Sequence, residues 1–534
     1  MSAEQVQARP GAYADSVTLM QVSAKAQAAS GVRVAMIAMA TELNLTLLAE
    51  LGMTAPPGAS QHDLLVAIRA TDDESLNAAL ELVDAALAGR SATSEQPAGQ
   101  GMAPRTTSTA IARSGAGIAL VSVPGQYAFA EAMDALRRGC DVMIFSDNVP
   151  VEQEVALKEI AAERGLLVMG PDCGTAIVAG IGLGFANSVR QGPVGVVAAS
   201  GTGAQQFACL LDAAGVGCSA VLGLGGRDLS AAVGGRSARA ALAALDADPA
   251  TDLIVLLSKP PATEVAAALR DYAATLTKPV NFALIGPGQP DLTSAAESAL
   301  KALGRPIPPW PRWDPRAEGP GPREPKGAAP AWTDERSMRG GKAGALKAPG
   351  GERGRRLRGL FSGGTLCDEA MVIAAERLGP IYSNIPLDPA HRLDPLVGAT
   401  QARHTMIDFG ADELTVGRPH PMIDQRLRLD HFAAEVADPA TTVIMLDVVL
   451  GYGSHPDPAA EIAPIVAAAK SARDIEVVIS LIGSEADPQG LAAQAAALSQ
   501  AGAHVFASNA QAARFACDLL GARQAANVQG GEQA

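Results

Sequence analysis

Along the chain, short apolar runs alternate with amphipathic Ala/Leu/Glu-rich segments, which is how parallel strands covered on both faces by crossover helices read in sequence. The runs predict strands at 34–39, 64–69, 118–123, 142–145, 167–169, 194–198, 220–222, 253–257, 280–285, 359–361, 442–446, 477–481 and 504–506, with helices filling most of the intervals. The fold class that follows is α/β, with several doubly wound parallel sheets. Two stretches interrupt the pattern. Residues 89–105 are small and polar, and set off a small N-terminal α/β domain at 1–95. Residues 305–355 are rich in Pro, Gly and Arg and read as a linker. Between and beyond them lie domains at 105–190, 191–304 and 356–534.

Composition narrows the function. The 534 residues are 48% apolar and 18% charged, enough to bury several cores. A net charge of −14 argues against nucleic acid or an anionic membrane as partner, because both demand clustered positive charge. Segment 305–358 carries 13 basic and 6 acidic residues, which leaves the remainder near −21; that segment reads as a solvated insertion, or as an electrostatic contact for an acidic partner. Six scattered cysteines without a CxxC pair, and a start lacking a basic-then-apolar leader, point to a reduced, cytoplasmic chain. The longest uncharged stretch, 191–211, is broken by glycines and polar clusters, so no membrane span is expected. No His/Cys/Asp spacing suggests a metal site.

The candidate chemistry sits at strand ends. VGVVAASGTGAQQFACLL (194–211) and RGLFSGGTLCDEAMVIA (358–374) read as versions of one another, each a strand, a Ser-Gly turn and a helix. Such a turn leaves the first helical N–H groups unpaired and unshielded while the helix dipole adds about half a positive charge, which suits phosphate or carboxylate. Ser200, Gly201, Thr202 and Gly203 form one candidate anion loop, and Ser362, Gly363, Gly364 and Thr365 the other. Ordinary capping of a βα turn is the alternative. A third Gly-rich turn brings Gly225, Gly226 and Arg227, the arginine as an anion clamp or as a local partner of Asp228. Asn148, Asp172 and Cys173 end two further strands and are candidate cofactor contacts, although nothing near Cys173 in sequence would activate its thiol. Among the histidines, His420 and His455 lie in polar, Pro-rich loops and are candidates for acid/base work or phosphate contact, or for surface loop positions.

These residues carry a resemblance. SVPGQYAFAEAMDALRRGCDVMIFSDNVP, GLLVMGPDCGTAI, GPVGVVAASGTGAQQ, GLGGRDL and LFSGGTLCDEA resemble the succinyl-CoA synthetase superfamily. The opening RPGAYADSVTLMQVSAKAQAASGVRVAMIAMATELN, with IDFGADELTVGRPHPMID, is similar to the FdrA family within it. The resemblance implies a Rossmann-like CoA-binding domain at 105–190, a flavodoxin-like α-subunit-type domain at 191–304 and a flavodoxin-like β-subunit-type domain at 356–534. The synthetases carry a phosphohistidine loop after a strand headed Lys-Pro-Val, but Lys278-Pro279-Val280 is followed by NFALIGPGQPDLTSAAESAL, which has no histidine. The carboxylate that pairs with that histidine lies 19 positions before the Lys, and that count lands here on Lys259. No ATP-grasp domain is visible. What the resemblance implies is therefore a subunit of a carbamoyl- or acyl-phosphate-handling transferase of the oxamate carbamoyltransferase kind, from allantoin breakdown. Its anionic small-molecule substrates would be held by the two loops, with Lys259 as electrostatic catalyst and other subunits as partners in an oligomer. The alternative it implies is an acyl-CoA synthetase using CoA and a Mg-nucleotide, and a third reading is a scaffold without turnover.

Overall fold

A computed structural model describes residues 3–12, 14, 16–91, 104–315, 355–394, 403–415 and 419–531. The N-terminal unit runs β1 (Ala3–Arg9), α1 (Ser16–Gln27), β2 (Val32–Met39), α2 (Glu42–Glu50), β3 (Leu64–Ala70) and α3 (Asp73–Ser91). Its antiparallel sheet has the order β1-β3-β2. The central strand β3 is apolar on both faces. Leu64, Val66 and Ile68 pack with Leu19, Val22 and Val83 of α1 and α3, while Leu65 and Ala67 pack with Leu48 of α2. Strand β1 escaped the sequence reading because its pattern, Ala-Glu-Gln-Val-Gln-Ala-Arg, is that of a half-wet edge.

The second unit holds α4 (Thr107–Ser114), β4 (Ile118–Val121), α5 (Gly125–Arg137), β5 (Asp141–Ile144), α6 (Val151–Glu163) and β6 (Val168–Met169), with a parallel sheet β4-β5-β6. The third opens with the hairpin β7 (Thr175–Val178) and β8 (Ile181–Gly184), followed by β9 (Gln191–Ala198), α7 (Gly201–Ala213), β10 (Cys218–Gly223), α8 (Arg236–Ala247), β11 (Leu253–Ser258), α9 (Thr263–Ala273), β12 (Val280–Leu284) and α10 (Leu292–Ala302). Its sheet order is β12-β11-β9-β10-β7-β8. The hairpin at 175–184 therefore extends this sheet through the Val221–Ile177 pairing, although the sequence reading placed it in the 105–190 domain.

A short strand, β13 (Arg312–Trp313), adds antiparallel to the edge of the last sheet. That sheet also contains β14 (Arg356–Phe361), β15 (Thr405–Asp408), β16 (Thr441–Val449), β17 (Glu476–Ile482) and β18 (His504–Phe506), in the order β13-β18-β17-β16-β14-β15. Around it lie α11 (Gly364–Leu378), α12 (Asp412–Thr415), α13 (Arg426–Ala437), α14 (Pro458–Ala472), α15 (Leu491–Gln500) and α16 (Asn509–Gly531). The start of the expected linker is thus packed structure, with Trp310 buried and its indole N–H donating to Glu297 at 3.0 Å. The basic stretch at 316–354 lies outside the described residues. No described helix is long and apolar enough to cross a membrane.

The third unit and the last share one core. Phe207, Leu210 and Leu211 of α7 pack in a single cluster with Leu366 and Met371 of α11 and Ala516 and Leu520 of α16. Buried polar groups register this face. Gln206 donates from Nε2 to the Ala507 carbonyl at 2.8 Å and accepts the Asn509 N–H at 3.1 Å. Asp487 accepts from Asn187 and from the Ser188 N–H, both at 2.7 Å. Since Gln206→Leu strands a buried donor and a buried acceptor, it is expected to cost about 1–3 kcal/mol for each; chemical denaturation of the variant beside the native chain checks this.

Candidate active site

The carboxyl ends of β9 and β14 face each other, so the helices that follow them meet tip to tip. Ser200 caps α7 by accepting the Gly203 N–H at 3.0 Å, and its Oγ lies 2.7 Å from Thr365 Oγ1 at the start of α11. A Cβ on Gly363 would stand 2.7 Å from Thr202 Oγ1, and one on Gly203 would stand 3.0 Å from Thr365 Cγ2. Both loops are glycine-rich because side chains there would push the two tips apart. A Cβ on Gly201 would stand 3.4 Å from Thr175 Oγ1.

The two tips are not equivalent. Ser362 donates to Asp447 Oδ1 through N–H (2.7 Å) and Oγ (2.9 Å), and the Gly363 N–H donates to Oδ2 at 2.8 Å. The buried Arg428 completes the set with Nη1 2.7 Å from Oδ1. Four donors converge on Asp447, so the first amides of this turn already hold a carboxylate. Ser362 and Gly363 are thereby committed within the protein. Gly364 and Thr365 follow at a helix start with no side-chain cap.

Lys259, just beyond β11, reaches this helix start. Its Nζ is 2.7 Å from Asp368 Oδ2 and 3.4 Å from where a Cβ on Gly364 would stand. Burial disfavours its charge, but Asp368 and Asp408 outweigh that and hold the ammonium above the ordinary lysine range. Asp408, the last residue of β15, is buried with Oδ2 2.7 Å from the same Gly364 position. Burial pushes its carboxyl up to about 7, against the Gly410 N–H and Lys259, which favour the anion. Asn384 fixes that strand end by accepting the Asp408 N–H at 3.0 Å and donating to its carbonyl at 2.9 Å. His420 lies on the Gly410 side of Asp408: a Cβ on Gly410 would stand 2.8 Å from its Nε2 and 3.2 Å from Asp408 Oδ1. Its Nδ1 accepts the Met422 N–H at 3.2 Å, which assigns the ring proton to Nε2. Burial, then Arg428, lowers its pKa to about 4, so the imidazole is neutral at pH 7.

Lys259 and Asp368 open onto a cleft of about 710 Å³ between the two sheets, lined also by Pro260, Ile285, Pro287, Val372, Asn384, Ile385, Pro386, Arg392, Asp412 and Glu413. The loop after β12 lines this cleft with Gly286 and Pro287, and among the described residues none that lines it is a histidine. His455 is engaged elsewhere. Its Nδ1 accepts the Asp457 N–H at 3.1 Å and its Nε2 lies 3.4 Å from Glu461, which raises its pKa against the effect of burial.

The remaining expected residues form a second neighbourhood at the carboxyl edge of β5 and β6. Asn148 and Asp172 both adopt left-handed backbone, at φ 53° and 56°. Asp172 reaches solvent, yet the surrounding walls desolvate its carboxyl and Asp412 and Asp147 add repulsion, pushing it up to about 7. Cys173 is buried and its thiol is pushed up to about 12 by that burial, which makes it a packing residue and not a nucleophile. Gly225, at φ 77°, lets its turn approach Pro171, whose carbonyl a Cβ would meet at 2.1 Å. Gly226 faces Asp172 across 3.9 Å. Arg227 spends its guanidinium on the Val149 carbonyl (2.8 Å) and Glu154 (3.0 Å). A string of rings, Phe145, Phe185 and His420, links this edge to the first site at centroid spacings of 5.8 and 5.7 Å.

Sequence reasoning missed Asp368, Asp408, Asp447, Arg428 and Asn384. Asp368 lies in LFSGGTLCDEA, in the second turn of α11, and Asp447 lies near the carboxyl end of the apolar strand β16, where a charge inside a buried run could have been marked. Asp447→Asn leaves Arg428 buried without its counter-charge and should destabilise the chain by about 3–5 kcal/mol, measurable by denaturant unfolding. Asp408 binds its proton more tightly folded than unfolded, so the stability this gives is full below about pH 4 and is lost as pH rises through about 7. Asp408→Asn should therefore leave stability unchanged in acid but raise it at pH 8, by about 4 kcal/mol at most; melting curves of both chains across pH 4–8 test the sign.

The CoA-ligase family profile matches residues 360–519, and a profile described as "AllF, heavy metal-associated domain" matches residues 1–104. The chain is 35% identical over 530 residues to the uncharacterized protein YahF of Escherichia coli K12, covering 96% of this chain and 98% of that one. It is 32% identical over 171 residues to the alpha subunit of an ADP-forming succinate–CoA ligase of Methanothermobacter thermautotrophicus, covering 31% of this chain and 56% of that one. A dinucleotide-forming acetyl-coenzyme A synthetase 1 of Ca. Korarchaeum cryptofilum, solved with phosphate and ADP, aligns over 82% of this chain and 89% of its own at 15% identity, with a TM-score of 0.30. The heavy-metal description does not suit the residues present. Positions 1–104 contain no cysteine and one histidine, and among the described residues no cluster of three or more His, Cys, Asp or Glu is placed to hold an ion.

Proposed function

Since the chain belongs to the FdrA family of succinyl-CoA synthetase-like proteins, we propose that it is an enzyme subunit that moves an acyl group, carbamoyl included, between phosphate and a second acceptor in the Lys259 cleft. The observation that carries the reading is Lys259 Nζ beside the uncapped start of α11, with Asp408 against the same glycine. The phosphate of an acyl phosphate would rest on the free N–H groups of this helix start and on Lys259. An acceptor N–H or S–H attacks the carbonyl carbon, its proton passes to Asp408, and the bond from that carbon to the phosphate oxygen breaks, releasing inorganic phosphate. A carboxyl titrating at about 7 can accept and return that proton at neutral pH. Lys259 and the amides offset the charge that develops, one good donor being worth about 3–4 kcal/mol of barrier.

Two acceptors are in contention. A CoA thiol is supported by the CoA-ligase profile and by the succinate–CoA ligase relatives. An amide nitrogen, as in carbamoyl transfer to oxamate, is favoured by the charge at the second neighbourhood. There Asp147 and Asp172 repel one another at the edge of the domain that the resemblance makes CoA-binding, and Arg227 is paired with Glu154. Either way, no lining histidine is available to carry phosphate. With carbamoyl phosphate as donor, phosphate release that depends on oxamate supports the nitrogen acceptor, and release that depends on CoA supports the thiol. Lys259→Ala is expected to weaken inorganic phosphate binding at least about tenfold by calorimetry; unchanged affinity would remove Lys259 from this role.

A further inference from the structure

The cleft carries a second charged pair that the transfer step leaves unused. Arg392 donates from Nη2 to Glu413 at 3.2 Å, and its side chain is 64% exposed. Only one of the five guanidinium N–H donors is spent there, and an exposed pair of this kind is worth roughly 0–1 kcal/mol, so exchanging Glu413 for another carboxylate costs little. The backbone that carries the arginine is firm: the Leu393 N–H donates to the Ser383 carbonyl at 2.8 Å, and the Arg392 N–H closes a tight turn onto Pro389 at 3.2 Å. Ile385, Pro386 and Leu387 line the same cleft with apolar surface, which strengthens charge-assisted hydrogen bonds made beside them. A guanidinium with a free fork, carried on a held backbone at a partly apolar cleft, is suited to bidentate capture of a planar carboxylate.

We propose that Arg392 is the carboxylate anchor of this cleft, so that the substrate accompanying phosphate is a small organic acid whose own carboxylate takes no part in the transfer. Glu413 competes for the same guanidinium and so sets the affinity. The inference rests on the assignment of phosphate to Lys259, because both ligands must share the cleft.

Calorimetry of the full chain with oxamate, succinate and inorganic phosphate as separate probes tests it. Arg392→Gln is expected to weaken the carboxylate probes at least about tenfold and to leave phosphate affinity unchanged, while Glu413→Gln tightens the carboxylate probes. Carboxylate affinity untouched by Arg392→Gln overturns the inference, as does failure of both acids to bind the native chain, or an equal loss of acid and phosphate affinity. Lys259→Ala separates the two assignments. If it leaves phosphate affinity unchanged while Arg392→Gln still abolishes acid binding, the phosphate assignment fails and the carboxylate anchor stands.

Discussion

Two helix starts pressed tip to tip are the constraint to which the rest of the site answers. Each end carries about half a positive charge and unpaired N–H groups, and in a poorly solvated interior the two repel. Ser200 and Thr365 touch across the junction at 2.7 Å, so the repulsion must be met by anions close by. Asp447 meets it from beneath one turn, and Asp408 and Asp368 meet it at the side. The fourth charge, Lys259, gives the cluster its chemistry, because it adds a cation at the start of α11, which no side chain caps.

The same logic explains the buried ions elsewhere. Lys158 sits between Glu154 (2.7 Å) and Asp228 (2.9 Å), and also donates to the Leu224 carbonyl at 3.2 Å. Asp228 in turn accepts the first N–H groups of α8 from Ser237 and Ala238. A charge cluster of this kind contributes little net stability, but breaking one member leaves the others uncompensated, which fixes how the three-stranded sheet docks on its neighbour.

Much of this architecture was legible in the residues. Fully buried runs such as Leu-Ile-Val-Leu-Leu announced β11, and the paired Ser-Gly turns announced the two helix starts that the structure brings into contact. What stayed hidden was of two kinds. Edge elements such as β1 and β13 carry too few apolar positions to stand out, and the apolar 175–184 hairpin is broken up by Gly180, Gly182 and Gly184. The carboxylates of the site stayed hidden because a lone Asp near a strand end (Asp408, Asp447) or on a helix (Asp368) looks like any other polar position. Only the fold shows that Asp408, Asp447 and Asp368 converge on one helix start. Of the two candidate histidines, His455 turns to Glu461, while the half-buried His420 lies beside Asp408 at the Gly410 turn.

Nine successive residues of α7, from Gly203 to Leu211, are buried, so this helix has no wet side. Part of its cover comes from α11 and α16, whose residues leave the ribosome far later. At about 5–20 residues per second, the wait from residue 211 to the end of α16 lasts roughly 15–60 s. For that interval the nascent chain displays an apolar helix that nothing in its own completed portion can fully shelter. Completion of the core around α7 therefore has to wait for the carboxyl-terminal unit.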